Sequence, residues 1–330
     1  MKREGTMKKG VLLVLVFSLG IAFFGLLGPE EGCAGEVKFI KIATGNPAGR
    51  WYPFGAKLSE LITQYLKPVN ASVTAGGGVS NCKAVDKNEV QLGVTYGTSS
   101  YNAFNGKPPF EKKLHNIRGL GVIEMSYYNA VVRKDSDIKS FADLKDKKIA
   151  PGPPGFFSAV TTENILKAYG LSFDEVRKSG GTISNVSWSD AGEMMKDRNV
   201  DFIGVLTGIP HHTILSLTTA TSIRLLDIDE KYQKTILENE PGYLIKLIPA
   251  NTYPGVKTDT VTLATDTQFV CHKDLPDDLV YKITKLFYEE VPKFKEAFKQ
   301  FGEVNVKRGY ADIKLPMHPG AKRYFDEKLK

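Results

Sequence analysis

Apolar and polar positions along this chain follow two rhythms. Short apolar runs that end in glycine-bearing loops suit buried strands, and stretches with an apolar residue every third or fourth position suit amphipathic helices. Residues 37–43 predict a strand and 44–51 a glycine-containing loop. Pro53 then opens a helix whose Phe54, Leu58, Leu61, Ile62 and Tyr65 share one face. Residues 71–74 run into Gly76, Gly77 and Gly78; a helix from about Ser80 to Lys87 leads to an apolar strand at 90–95, then to residues 96–100 and a loop around Asn105, Gly106, Pro108 and Pro109. A longer extended stretch at 119–133 suits a crossover between lobes, and 135–148 reads as a turn plus a short helix around Phe141 and Leu144.

The same grammar repeats downstream. A strand at 148–151, a loop at 152–155 and a helix from about Phe157 to Tyr169 closed by Gly170 form one unit. A strand at 185–188 precedes a capping-box pair, Asp190 and Glu193, and a helix bearing Met194 and Met195. A strand at 201–205, a loop at 206–208 and a helix opened by Pro210 form the next. After a strand at 222–226 and a helix near 231–237 comes an irregular region through Gly255, then a return strand at 261–272. The end is helical: Leu279, Ile283, Leu286 and Phe287 recur at helical spacing within 276–290, and a last short helix spans 319–329. This alternation predicts an α/β fold with mostly parallel sheets, in which ligands gather at the carboxyl ends of the strands.

Composition changes the picture mainly at the N-terminus. The 330 residues are 42% hydrophobic and 25% charged, as in ordinary globular proteins of two domains. Lys8 and Lys9, an apolar run at 11–28, and small residues at 32–35 follow the order of a Sec signal peptide cleaved after Ala34 or Gly35. An uncleaved anchor is the other reading of that run, and Glu30 ahead of Cys33 argues against lipidation. Cleavage would remove four basic and three acidic residues, taking the net charge from +7 to +6. Lys and Arg are interspersed with acids rather than clustered, which argues against nucleic acid as a partner. Cys82 and Cys271 would remain and read as buried free thiols rather than a bridge.

Four loops join a strand end to a helix start, at 44–52, 76–81, 152–158 and 207–211. Unpaired N–H groups and the positive end of a helix dipole attract an anion there, and glycine permits close approach. The expected ligand-binding residues are Thr44, Gly45, Arg50, Trp51, Tyr52, Asn81, Tyr96, Thr98, Gly155, Phe156, Phe157, Ser158, Thr207 and Gly208. Arg50, Asn81, Ser158 and backbone N–H groups are expected to hold a carboxylate. Tyr96, Phe156 and Phe157 would surround its apolar body, and Trp188 lies near the same strand ends. The five histidines lack metal-ligand spacing, no G-x-S-x-G elbow occurs, and the Gly76–Gly77–Gly78 turn lacks the lysine of a P-loop. No cofactor and no metal are expected.

Several short motifs carry a family resemblance. Thr44, Gly45, Gly49, Trp51, Tyr52 and Pro53 match a T-G-x-x-x-G-x-Y-Y-P loop, and Gly76, Gly77, Gly78, Val79, Ser80 and Asn81 match a G-G-S-x-x-N turn. Further matches are Asp143-Leu144-Lys145, Gly208-Ile209-Pro210, Pro241-Gly242-Tyr243, Asn251-Thr252-Tyr253 and the stretch from His318 to Tyr324. Over nearly the whole mature chain the sequence resembles the TAXI branch of the solute receptors of TRAP (tripartite ATP-independent periplasmic) transporters. The resemblance implies a two-lobed type II periplasmic binding-protein fold with a hinge and an interlobe cleft, a small organic acid as ligand, a membrane subunit as partner, a periplasmic location and no enzymatic activity. The expected division is a signal peptide at 1–35, lobe 1 at 36–130, lobe 2 at 131–260, and a return strand with the rest of lobe 1 at 261–330. Tyr96-Gly97-Thr98 stands where the family often has Q-S-D, and Gly155-Phe156-Phe157-Ser158 where it often has G-S-G-T, so the lining is expected to be more aromatic than a glutamate site. The competing class is a cysteine-dependent transferase or hydrolase, which requires Cys82 or Cys271 exposed in the cleft with a depressed pKa.

Overall fold

In the first part of the chain, β1 (Phe39–Ala43), α1 (Trp51–Tyr65), β2 (Asn70–Thr74), α2 (Gly78–Asp86) and β3 (Leu92–Tyr96) alternate as the apolar pattern demands, and α3 (Gly97–Asn105) follows. β1 pairs in parallel with β2 and β3. All five positions of β3 are buried, as expected for a strand covered on both faces. α1 turns Phe54, Leu58, Leu61 and Ile62 inward, where they join Ile40, Ile42, Leu92 and Phe269 in one core. Each such side chain contributes about 1.5–3 kcal/mol through burial. This computed structural model describes residues 37–330 apart from 46, 48, 154, 155, 298–303, 305 and 312. The export segment expected at 1–35 and the expected site residue Gly155 therefore lie outside the described residues.

β4 (Ile117–Arg133) leads into a second half built from β5 (Lys148–Ala150), α4 (Phe157–Ala168), α5 (Phe173–Lys178), β6 (Thr182–Ile183), α6 (Trp188–Lys196), β7 (Phe202–Thr207), α7 (His212–Ala220), β8 (Ile223–Leu225) and β9 (Leu244–Ile248). β5 pairs in parallel with β6 and β7. β10 (Thr260–His272) returns antiparallel to β4, from Ala264 opposite Tyr127 to His272 opposite Ile117, with register shifts after Thr267 and after Phe269. Such irregularities bend a strand pair and increase its twist. The order β2-β1-β3-β10-β4-β7-β5-β6 sets this pair between two parallel half-sheets. The result is an α/β fold of two lobes joined by β4 and β10. Helices Asp277–Glu289 and Pro319–Lys328 close the first lobe, with Phe287, Tyr324 and Phe325 in its core.

Several elements depart from the sequence reading, which has no counterpart for α5 and β6. Residues 97–105 form α3 although they carry no apolar stripe; the buried positions are Thr98, Ser99, Ser100 and Asn102. The strand expected at 185–188 is absent, and Ser187 caps α6 instead. Its hydroxyl accepts from the Asp190 N–H at 3.1 Å and donates to the Asp190 carboxylate at 2.8 Å, so the cap lies three residues before the Asp190 and Glu193 pair. Pro210 does not open a helix: its bond to Ile209 is cis and α7 begins at His212. Residues 244–248, read as irregular, are β9 and pair with β10.

Candidate functional site

A cavity lies between the two half-sheets at the carboxyl ends of their strands, where this class of fold gathers ligands. The loop after β1 contributes Gly45, Gly49, Arg50 and Trp51, the turn before α2 contributes Gly76, Gly77 and Gly78, and β3 ends in Tyr96. The second lobe adds Phe156 and Phe157 at the start of α4, Trp188 at the start of α6, and Thr207 at the end of β7. Its volume is about 40 Å³, room for only a few water molecules.

Contacts between the lobes account for that small volume. The Tyr96 hydroxyl donates to the Leu206 carbonyl at 2.8 Å, and its ring lies 4.6 Å from Trp51 and 5.9 Å from Phe157. Burial, with the Glu124 charge as a second cause, raises the pKa of this phenol, so it stays a donor. Farther out, the Asn102 amide donates to Glu240 at 3.2 Å. Thr98 meets the second lobe so closely that a side chain at Gly242 would come 2.7 Å from its Cα.

Arg50 sits at the end of the loop, directly before α1, with its guanidinium already anchored. Nη2 lies 2.6 Å from Glu124 Oε2 and Nε 3.3 Å from Oε1, and both side chains are 6% exposed. Gly208 lies against the same group: a Cβ there would approach Cζ, Nε and Nη2 at 2.7–2.8 Å. Arg50, expected from the sequence to hold a carboxylate, therefore lines the cavity as half of a buried ion pair. Glu124 stands on β4, the strand that joins the lobes, and was not among the expected site residues. The trace it leaves in the sequence is a carboxylate inside an otherwise apolar run, which buried strands rarely carry without a partner.

Trp188 meets Phe156 edge-on at 5.5 Å and His211 at 5.2 Å. Its indole N–H is buried without a partner among the described residues, beside Gly152, whose φ of +106° is one L-residues rarely adopt. Burial, then the charges of His212 and Arg50, push the His211 imidazole down to about 3. His211 is thus neutral near pH 7 and adds no second cation. Trp51 and Trp188 are the only tryptophans of the chain, and both line the cavity.

The other expected residues divide clearly. Gly45, Arg50, Trp51, Tyr96, Phe156, Phe157 and Thr207 meet at the cavity. Asn81 and Ser158 instead serve the fold. The Asn81 amide donates to the carbonyls of Thr44 and Val94, both at 2.7 Å, and the Ser158 hydroxyl accepts from the Leu206 N–H at 3.2 Å. Thr44 donates to the Thr74 carbonyl at 2.9 Å. Thr98 packs between lobes, Tyr52 is half-buried on α1 outside the cavity wall, and Gly208 acts through Arg50.

Cys82 and Cys271 are free and fully buried. Burial pushes the Cys82 thiol up to about 11 and raises Cys271 well above the ordinary thiol value. These are the reverse of the conditions a cysteine nucleophile needs. Among the described residues no cluster of three or more His, Cys, Asp or Glu side chains is placed to hold a metal ion, and no helix is long and apolar enough to cross a membrane.

Among solved structures, the chain is similar to the periplasmic aliphatic sulphonate binding protein SsuA from Escherichia coli, at 14% identity over 88% of this chain and 78% of that one, with a TM-score of 0.47. It is also similar to XAC2383 from Xanthomonas citri, solved bound to ATP, at 11% identity over 88% and 95% and a TM-score of 0.48. A mutant of ArgBP from T. maritima matches at 12% identity over 80% and 94%, with a TM-score of 0.44. At the level of sequence, the profile of the NMT1-like family matches residues 42–328. The chain belongs to the NMT1-like family.

Proposed function

We propose that this protein is an extracytoplasmic solute receptor that closes two lobes over a small organic anion and delivers it to a membrane transporter. The lobes would be residues 36–130 with 261–330, and 131–260, turning about β4 and β10. The observation that carries this reading is the cavity itself: both lobes wall it, and among its described lining residues one is a cation while glycine backbone and aromatic rings make up most of the rest. The motifs shared with the TAXI branch favour a TRAP-type secondary transporter as partner and a periplasmic location. That pairing is tested by uptake in vesicles, where an ion gradient rather than ATP should drive receptor-dependent transport.

Magnitudes decide how such an anion is held. A carboxylate about 4 Å from Arg50 gains about 4 kcal/mol at an effective dielectric constant of 20, while Glu124 at about 6 Å opposes it by about 3 kcal/mol. Charge alone leaves about 1 kcal/mol, so N–H groups of the glycine turns and contact with Trp51, Tyr96, Phe156 and Phe157 must supply most of the affinity. A thermal-shift screen against organic acids tests the reading. A ligand at a hundred times its dissociation constant adds about 2.7 kcal/mol to stability. A broad panel of acids that leaves the melting temperature unmoved speaks against a receptor for organic anions.

A further inference from the structure

Resting on the reading of this cavity as a ligand site, we infer that Glu124 sets the charge the site accepts, so that the ligand is a carboxylate with a single negative charge and an uncharged, largely apolar body. Among the described residues of the cavity wall Arg50 is the one that is charged, and its Nε and Nη2 already meet Glu124 at 3.3 and 2.6 Å, with both side chains 6% exposed. The pair sums to zero, so one carboxylate brings the site to −1 and shares a guanidinium that Glu124 orients. A second carboxylate finds no cation.

The remaining walls make that second charge worse. Aromatic rings supply no counter-charge, since a ring face carries the negative side of the quadrupole. The Tyr96 hydroxyl is engaged with Leu206, and His211 behind Trp188 is neutral. Asn46, Ala48, Pro154 and Gly155, the loop positions outside the described residues, are uncharged by sequence. A carboxylate desolvated without a counter-charge is far costlier than one hydrogen bond returns. Glu124 is in this sense a specificity-determining residue on the strand that joins the lobes.

The test measures butyrate against succinate, and benzoate against terephthalate, by calorimetry on the full chain at pH 7, with tryptophan emission as a second readout. The wild type should bind each monoacid about tenfold or more tighter than its diacid. Glu124→Gln, which keeps the shape and removes the charge, should shrink that ratio about tenfold by favouring the diacid, whereas Glu124→Asp should leave it high. Equal or tighter diacid binding by the wild type overturns the inference while leaving the receptor reading intact, as does an unchanged ratio in a folded Glu124→Gln. Should that variant fail to fold, the wild-type ratio decides alone. If none of the four acids binds, the inference falls together with the organic-anion reading.

Discussion

Replacing Gly208 by alanine probes the closed arrangement at one of its tightest contacts. The new Cβ would lie 2.7 Å from Arg50 Cζ and 2.8 Å from Nε and Nη2, so the guanidinium would have to retreat by several tenths of an ångström. An exposed arginine would yield easily. This one is anchored along its Nε and Nη2 edge by Glu124 at 2.6 Å, so either the buried ion pair loosens or the lobes part. Overpacking of this kind costs about 1–3 kcal/mol, below the roughly 3–5 kcal/mol for losing a buried pair outright, and parting the lobes is therefore the easier relief. The penalty then falls on the closed, ligand-holding form. The dissociation constant for a carboxylate ligand should rise about 5- to 150-fold, while the melting temperature of the ligand-free protein changes little. Calorimetry supplies the first quantity, and X-ray scattering should show a larger radius of gyration for the ligand-free variant. Wild-type affinity together with wild-type scattering would refute the claim that Arg50 lying on Gly208 controls closure.

Two further outcomes follow from the buried titratable groups. The folded-state pKa of His211, about 3, lies below its ordinary 6.5; between those values the unfolded chain binds more protons, so this contribution to stability is full above pH 6.5 and erodes as pH falls toward 3, by at most about 1.4 kcal/mol per pH unit. His211→Gln should therefore lose less stability than the wild type between pH 7 and pH 4 in urea titrations, and parallel curves would contradict the assignment. With its thiol pushed up to about 11 and fully buried, Cys82 should react with a thiol reagent at pH 8 only after denaturation; prompt labelling of the native protein would reopen the cysteine-enzyme reading.

Periodicity made the architecture legible, and chemistry hidden by packing did not show. α1 carries its apolar stripe openly, and the long extended stretch at 119–133 proved to be β4, because strand and helix rhythms report burial directly. α3 stayed hidden because its buried face is made of hydroxyls and an amide that pack against β10 and the second lobe: Ser100 meets Gln268 at 2.8 Å and Asn102 meets Glu240. Glycine loops and aromatics read from the sequence line a cavity at strand ends. The roles within it depended on long-range partners that no local pattern reveals. Asn81 reads in the sequence as a ligand group, yet its amide donates to Thr44 and Val94, and the role of Arg50 depends on Glu124, 74 residues away.

The most direct measurement of the central claim uses the two tryptophans. Because Trp51 and Trp188 are the chain's only indoles and both line the cavity, emission excited where indole but not tyrosine absorbs reports this site. Titration with monocarboxylates of increasing apolar size should give a saturable change in emission for at least one acid. Trp51→Phe and Trp188→Phe should each retain part of that signal, since a ligand in this cavity would lie between the two rings. If an acid binds by calorimetry yet leaves the emission of the wild type and both variants unchanged, the ligand site is elsewhere and the account of this cavity is contradicted.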